Sequence, residues 1–180
     1  EGTSYYKRKK SLKKRCPHPS TGRRMMTVAK QLLGSKGFNH YELSAFSKPH
    51  RQSRHNIAYW SGQSYLGFGV GASEFINRQR YQNTSSFDEY IREPYSNSLV
   101  TDQTLSEQEE VRLQLVLHLR QLNGFSMDVF RTRFGPLSDE TSRSLDTLVD
   151  SGYIERFNTN DYRLTASGMY MFDDLASEII

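Results

Sequence analysis

Six consecutive residues, His55-Asn56-Ile57-Ala58-Tyr59-Trp60, bring together an imidazole, a carboxamide and two large amphipathic rings, and they include the only tryptophan of the 180-residue chain. An imidazole is a good axial ligand for haem iron, and flat aromatic side chains suit a flat macrocycle. The same residues also suit a loop pinned by Tyr59 and Trp60, with His55 making a structural hydrogen bond, and residue chemistry alone favours this second reading. Further on, GFGVGAS (67–73) places glycines at alternate positions, which permits close approach of the backbone to a ligand. It lacks the third glycine of the six-residue dinucleotide fingerprint, so spacing alone favours a bulged strand end. His18, His40 and His50 are too scattered to make a convincing metal site. Cys16 is the single cysteine. One thiol can form neither an internal disulfide nor a site of three or four thiolates, which fits a reducing compartment.

The elements that must position these groups can be read from the pattern. Residues 1–19 are polar and basic. A helix capped at Ser20 or Thr21 follows, carrying Met25, Met26, Val28, Ala29, Leu32 and Leu33, with Gly34 and Gly37 stopping it. Phe38–Ser44 alternates as a strand, so the unit reads as helix, tight turn and strand, the step found inside an α/β sheet. Residues 45–64, which include the His55–Trp60 stretch, lack periodicity and read as loop. Tyr65–Val70 reads as a short buried strand, RYQNT as a further extended stretch and Phe87–Glu93 as a short helix. Residues 93–104 form the best candidate linker.

The second half is more regular. Ser106, with Glu109 three residues on, forms a capping box for a long helix whose apolar positions run from Val111 to Leu122, closed by Asn123-Gly124. A short helix in SMDVFRTRFG, a third helix in SDETSRSLDTLVDSG, a hairpin turning near 158–161 and one closing helix complete an arrangement like a winged helix. One helix and strand in the first half cannot cover both faces of a sheet, so that half reads as the tail of a larger domain.

Charge divides the same way. Residues 103–180 carry seven Arg, no Lys and thirteen acidic side chains, whereas residues 1–102 carry seventeen basic and seven acidic ones. Duplex binding needs a basic reading helix, yet the third helix sets Arg143 against Asp139, Glu140, Asp146 and Asp150. Nucleic-acid binding is therefore a remote alternative, resting on the basic run of residues 5–15. The most apolar stretch is interrupted by Arg112, Gln114, His118 and Arg120, too short for a bilayer span. No signal segment is evident, and a soluble, cytoplasmic protein is expected.

The order of motifs HYELSAFSK, SRHNIAYW, YLGFGVGAS, LSEQEE, LRQLNGFSMDVFRTRFG, LVDSGYIER and RLTASGMYMFDDL resembles the C-terminal half of the oxygen-independent coproporphyrinogen III oxidase-like family, especially its haem-chaperone branch. The resemblance implies an α+β chain. Residues 1–95 would be the last portion of an incomplete radical S-adenosylmethionine (β/α) barrel with an HNxxYW loop, 96–103 a linker, and 104–180 a winged-helix-like, mainly helical domain. It implies haem binding by His55, Asn56, Tyr59 and Trp60, and contact of Gly69, Gly71, Ala72 and Ser73 with S-adenosylmethionine. The family's CxxxCxxC motif for a [4Fe-4S] cluster would lie upstream, and Cys16 is no substitute. The implied function is part of a haem chaperone that passes haem to acceptor proteins, membrane-associated respiratory proteins among them. Part of a true oxidase, making two oxidative decarboxylations, is the alternative.

Overall fold

In the computed structural model, residues 4–13, 15–94 and 105–180 are described. Two short helices, α1 (Ser4–Lys7) and α2 (Lys9–Lys13), precede α3 (Pro19–Ser35). α3 begins earlier than its hydroxyl residues suggest, because Pro19 occupies the first turn and the His18 ring accepts from the Ser20 N–H,. It ends where Gly37 turns to φ +77° and the Phe38 N–H returns to the Leu33 carbonyl at 3.0 Å,. Its apolar positions do not face a core: Met25, Val28 and Leu32 are each about 60 % exposed, at 61, 59 and 59 %.

β1 (Asn39–Glu42) pairs with β2 (Ala45–Ser47) as an antiparallel hairpin. The helix-to-strand step is thus present, but the sheets of the described residues are all antiparallel, and the parallel pairing of an α/β barrel is not made among them. Next comes α4 (Arg54–Trp60), which replaces the expected HNxxYW loop with a helix. The expected strand over Tyr65–Val70 is reduced to one bridge, Tyr65 to Phe75, because the glycines that follow turn the backbone back on itself. β3 (Ser73–Ile76) and β4 (Gln79–Gln82) make a second hairpin, followed by α5 (Phe87–Arg92). The proposed linker at 96–103 lies outside the described residues.

The C-terminal unit starts with α6 (Glu107–Leu119), whose capping box forms as the sequence suggests. β5 (Phe125–Ser126), α7 (Met127–Phe134), α8 (Asp139–Asp150), β6 (Ile154–Phe157) and β7 (Asp161–Leu164) follow, and β7 lies between β5 and β6. The closing helix divides at Met171 into α9 (Ala166–Tyr170) and α10 (Phe172–Ile179). Leu115, Met127 and Ile154 are fully buried at the centre of one core that also holds Phe130, Leu148, Leu164 and Leu175. Gly124 is required where it stands: φ is +83°, and a Cβ would meet the Tyr162 carbonyl oxygen at 2.7 Å.

α6 buries a polar row as well as an apolar one. Glu110, Gln114 and His118 recur at intervals of four, and Gln114 Nε2 donates to Glu110 Oε1 at 2.7 Å,. His118 is 7 % exposed, with the rings of Phe125, Phe130 and Phe134 edge-on at 5.1–5.3 Å, and its Nδ1 donates to the Gln114 carbonyl at 2.7 Å. Burial depresses its pKa below the usual 6.5, with Arg133 adding to the effect and the Gln114 bond opposing it,. The unfolded chain therefore binds this proton first. Stability should be complete above about pH 6.5 and decline as the pH falls below it. Urea unfolding at pH 5 and pH 7.5 checks this, and His118→Leu should flatten that part of the pH dependence.

Candidate functional site

α4 forms because Ser53, in extended conformation, accepts the Asn56 N–H on its Oγ at 3.2 Å,. The chain enters through a turn at Lys48-Pro49-His50-Arg51, closed by the Arg51 N–H on the Lys48 carbonyl, with His50 at φ +59°. The Ser53 backbone N–H donates to the Tyr41 hydroxyl at 3.3 Å, which ties the helix start to β1.

The four motif residues do not form one surface. His55 is exposed, and no hydrogen bond or ion pair of its side chain is found among the described residues. Asn56 and Tyr59 are half-buried. Tyr59 follows His55 by four residues, so the two share a helix face. Tyr59 is edge-on to Trp60 at 4.7 Å and tilted against Tyr65 at 5.1 Å. Burial, with Tyr59 as close neighbour, pushes the Tyr65 hydroxyl up to about 12, so it remains a neutral phenol across the physiological range. Trp60 points the other way: its ring lies under the Arg120 guanidinium, whose Cζ is 4.2 Å from the ring centroid. On its other side Arg120 faces Phe172 at 5.3 Å and reaches Glu42 Oε2 at 3.7 Å, an ion pair rather than a hydrogen bond,.

Arg120 belongs to a seam between the two halves. The Leu43 N–H donates to the Arg120 carbonyl and the Leu122 N–H to the Tyr41 carbonyl, both at 3.2 Å, so β1 continues across the boundary. From α7, Arg133 donates through its two terminal nitrogens to the carbonyls of Ser61 and Gly62, each at 2.8 Å. Gly62 has φ +61°, and a Cβ there would collide with the Gln114 side chain and stand 3.0 Å from the Phe134 ring. Arg120, Arg133 and Tyr65 carry no local signal, since each acts on a segment distant in the chain.

The glycine segment is occupied by its own fold. The Gly69 N–H donates to the Tyr90 hydroxyl at 3.0 Å and the Gly71 N–H to the Thr84 carbonyl at 2.8 Å, while Asn83 Nδ2 holds the Gly67 and Gly69 carbonyls. The Ala72 N–H donates to the Gly69 carbonyl. What remains for a ligand at Gly69, Gly71 and Ala72 is van der Waals approach; at Gly69 and Gly71 a Cβ would stand in open space, and their positive φ accounts for the residue type,. Ser73 is exposed at the start of β3.

With the motif, the seam and the C-terminal unit in place, comparison with known proteins becomes informative. No family model matches the chain. It is 30 % identical over 120 residues to the heme chaperone HemW of Lactococcus lactis, covering 67 % of this chain and 32 % of that protein. It is also 30 % identical over 133 residues to HemW of Bacillus subtilis, covering 71 % and 32 %. A third relative, the mitochondrial radical S-adenosyl methionine domain-containing protein 1 of Danio rerio, is 30 % identical over 135 residues, covering 69 % and 30 %. The chain belongs to the oxygen-independent coproporphyrinogen oxidase-like radical S-adenosylmethionine family, in its haem-chaperone branch. The fold agrees: coproporphyrinogen III oxidase HemN of Escherichia coli superposes with a TM-score of 0.63 at 16 % identity, over 91 % of this chain and 42 % of that one. The chain spans about a third of the length of the chaperones it matches.

Family membership brings cofactors whose fit can be tested on these residues. A [4Fe-4S] cluster does not fit: Cys16 is exposed and alone, and no group of three metal-ligating side chains occurs among the described residues. Reconstitution of this chain with iron and sulfide is expected to give no cluster absorption and no stoichiometric iron, because three thiolates are needed. Haem fits better, since His55 offers an exposed imidazole without a partner among the described residues. No helix of the described residues is long and apolar enough to cross a membrane.

Proposed function

We propose that this chain is the C-terminal part of a haem chaperone, in which His55 is the axial ligand and Tyr59 lies against the macrocycle. The observation that carries it is the division of labour on α4, where Trp60 packs under Arg120 while His55 is exposed and has no hydrogen-bond or ion-pair partner among the described residues. Asn56 and Trp60 then act by shaping and anchoring the helix rather than by touching haem. The preceding part of the protein would supply the [4Fe-4S] cluster and S-adenosylmethionine, with Gly69, Gly71, Ala72 and Ser73 close to the latter. Haem would pass to acceptor proteins in the cytoplasm or at a membrane, respiratory proteins among them.

On this reading residues 1–95 complete a barrel begun upstream, and 104–180 form a winged-helix-like module. The bare face of α3 supports the first point, together with the exposed Leu66, Phe68, Phe87 and Ile91 on the glycine segment and α5. Such apolar surface marks a missing neighbour. The exposed acidic residues of α8 support packing rather than nucleic-acid reading for the second. Titration of the chain with haemin, beside coproporphyrinogen III and heparin, tests the function. Saturable haemin binding with a shifted Soret band is expected. Binding of coproporphyrinogen III but not haemin would favour the oxidase, and retention on heparin alone would overturn both.

A further inference from the structure

A cleft of about 450 Å³ opens where α3, the β1–β2 hairpin and the C-terminal unit meet. Its size falls within the range of small-molecule sites, and such sites favour seams between units. One wall is flat and aromatic: the His40 ring stacks on Phe46 with centroids 4.1 Å apart and planes 9° from parallel. The lining also includes Leu122, Leu164 and Met169 from the C-terminal unit, which are aliphatic.

The charge at this cleft has a definite balance. Arg163 gives its Nε to Glu155 at 2.6 Å, so that pair cancels. Lys30, from α3, has no carboxylate partner among the described residues and leaves one net positive charge at the cleft. The pKa of His40 is depressed, first by burial and also by Lys30, while the Leu43 carbonyl and Glu42 oppose the change. Asn39 and Asn123 add amide groups at the rim.

Gly34 is the third observation. It lies in α3 and lines the cleft, its φ is not positive, and a Cβ would meet nothing within 4 Å. Neither backbone strain nor packing inside the protein calls for glycine there, although glycine is a poor helix residue.

We propose that this cleft binds a small monoanion with a flat apolar body, of the aromatic carboxylate class. The apolar body lies against the His40–Phe46 pair and the aliphatic side chains, and the carboxylate meets Lys30. The site is separate from His55 and does not rest on the haem reading.

The test uses the full chain and 1-naphthoate as probe, followed by fluorescence titration and by NMR of the Asn39 and Asn123 side-chain amides. Saturable binding that shifts both amides is expected, and the neutral 1-naphthamide should bind at least fivefold more weakly. Gly34→Leu, which adds atoms at a position where a Cβ meets nothing within 4 Å, should lower affinity at least tenfold without lowering the melting temperature, since leucine is the better helix residue,. Lys30→Glu should lower it at least fivefold and abolish the preference for naphthoate over the amide. Gly22→Leu, about 18 Å away along the same helix, serves as control and should leave the affinity unchanged. Equal affinity in the Gly34→Leu protein, equal binding of the amide, or no saturation at millimolar naphthoate would each overturn the proposal.

Discussion

Replacing Arg120 with alanine is expected to destabilise the protein by about 3–5 kcal/mol, the range for removing one partner of a buried ion pair. Glu42 is 1 % exposed, and although Ser44 donates to its Oε1 through both N–H and hydroxyl, its Oε2 has only the guanidinium nearby. The same substitution removes the cation between Trp60 and Phe172, so the indole loses the group that covers it,. Arg120→Lys keeps the charge but not the plane that stacks, and should recover less than half of the loss. Arg120→Met combined with Glu42→Gln should lose less than Arg120→Ala, since the uncompensated charge is then gone and only the loss of the stack remains. Urea unfolding followed by Trp60 emission reads both the stability and the seam. A loss under 1 kcal/mol with unchanged emission would mean that the ion pair and the stack do not hold the two halves together.

The second large effect is on haem. His55→Ala should weaken haemin binding at least tenfold and alter the Soret band. The fold should be untouched, because the imidazole is exposed and bonded to nothing described. Alanine is also the better helix residue, by up to about 0.7 kcal/mol, so a slight rise in melting temperature is expected rather than a fall. A structural His55 would show the reverse, a loss of about 1–3 kcal/mol with unchanged haem affinity. His40→Ala controls for adventitious imidazole binding. Unchanged affinity and spectrum in the His55→Ala protein would remove the main reason for preferring chaperone over oxidase.

The sequence is most legible where the determining interactions are local. Ser106 and Glu109 mark the start of α6 three residues apart, and the turn at 158–161 lies between two alternating strands, so the C-terminal elements can be placed without tertiary information. The helix at 54–60 is harder to read. It has only seven residues, two of them large aromatics of modest helix propensity, and its one local signal is Ser53 as cap. The HNxxYW residues can be recognised in the sequence, but not that they face different neighbours, because the group that covers Trp60 is Arg120, sixty residues away. In the same way Asn39–Glu42 reads correctly as extended, but the strand expected over Phe38–Ser44 runs too far, because its antiparallel partner depends on a reversal at 43–44 inside that range.

The Arg133 fork on the carbonyls of Ser61 and Gly62 has a dynamic consequence. Those two oxygens lie just beyond the end of α4, and the guanidinium comes from the last turn of α7, so neither helix can open to solvent without breaking the same two bonds. Amide hydrogen exchange in the two helices should accordingly share one opening free energy. A ligand that slows exchange in α4 should also slow it in α7. By reciprocity, a partner docked on α7 would alter the affinity of α4 for such a ligand by the same factor.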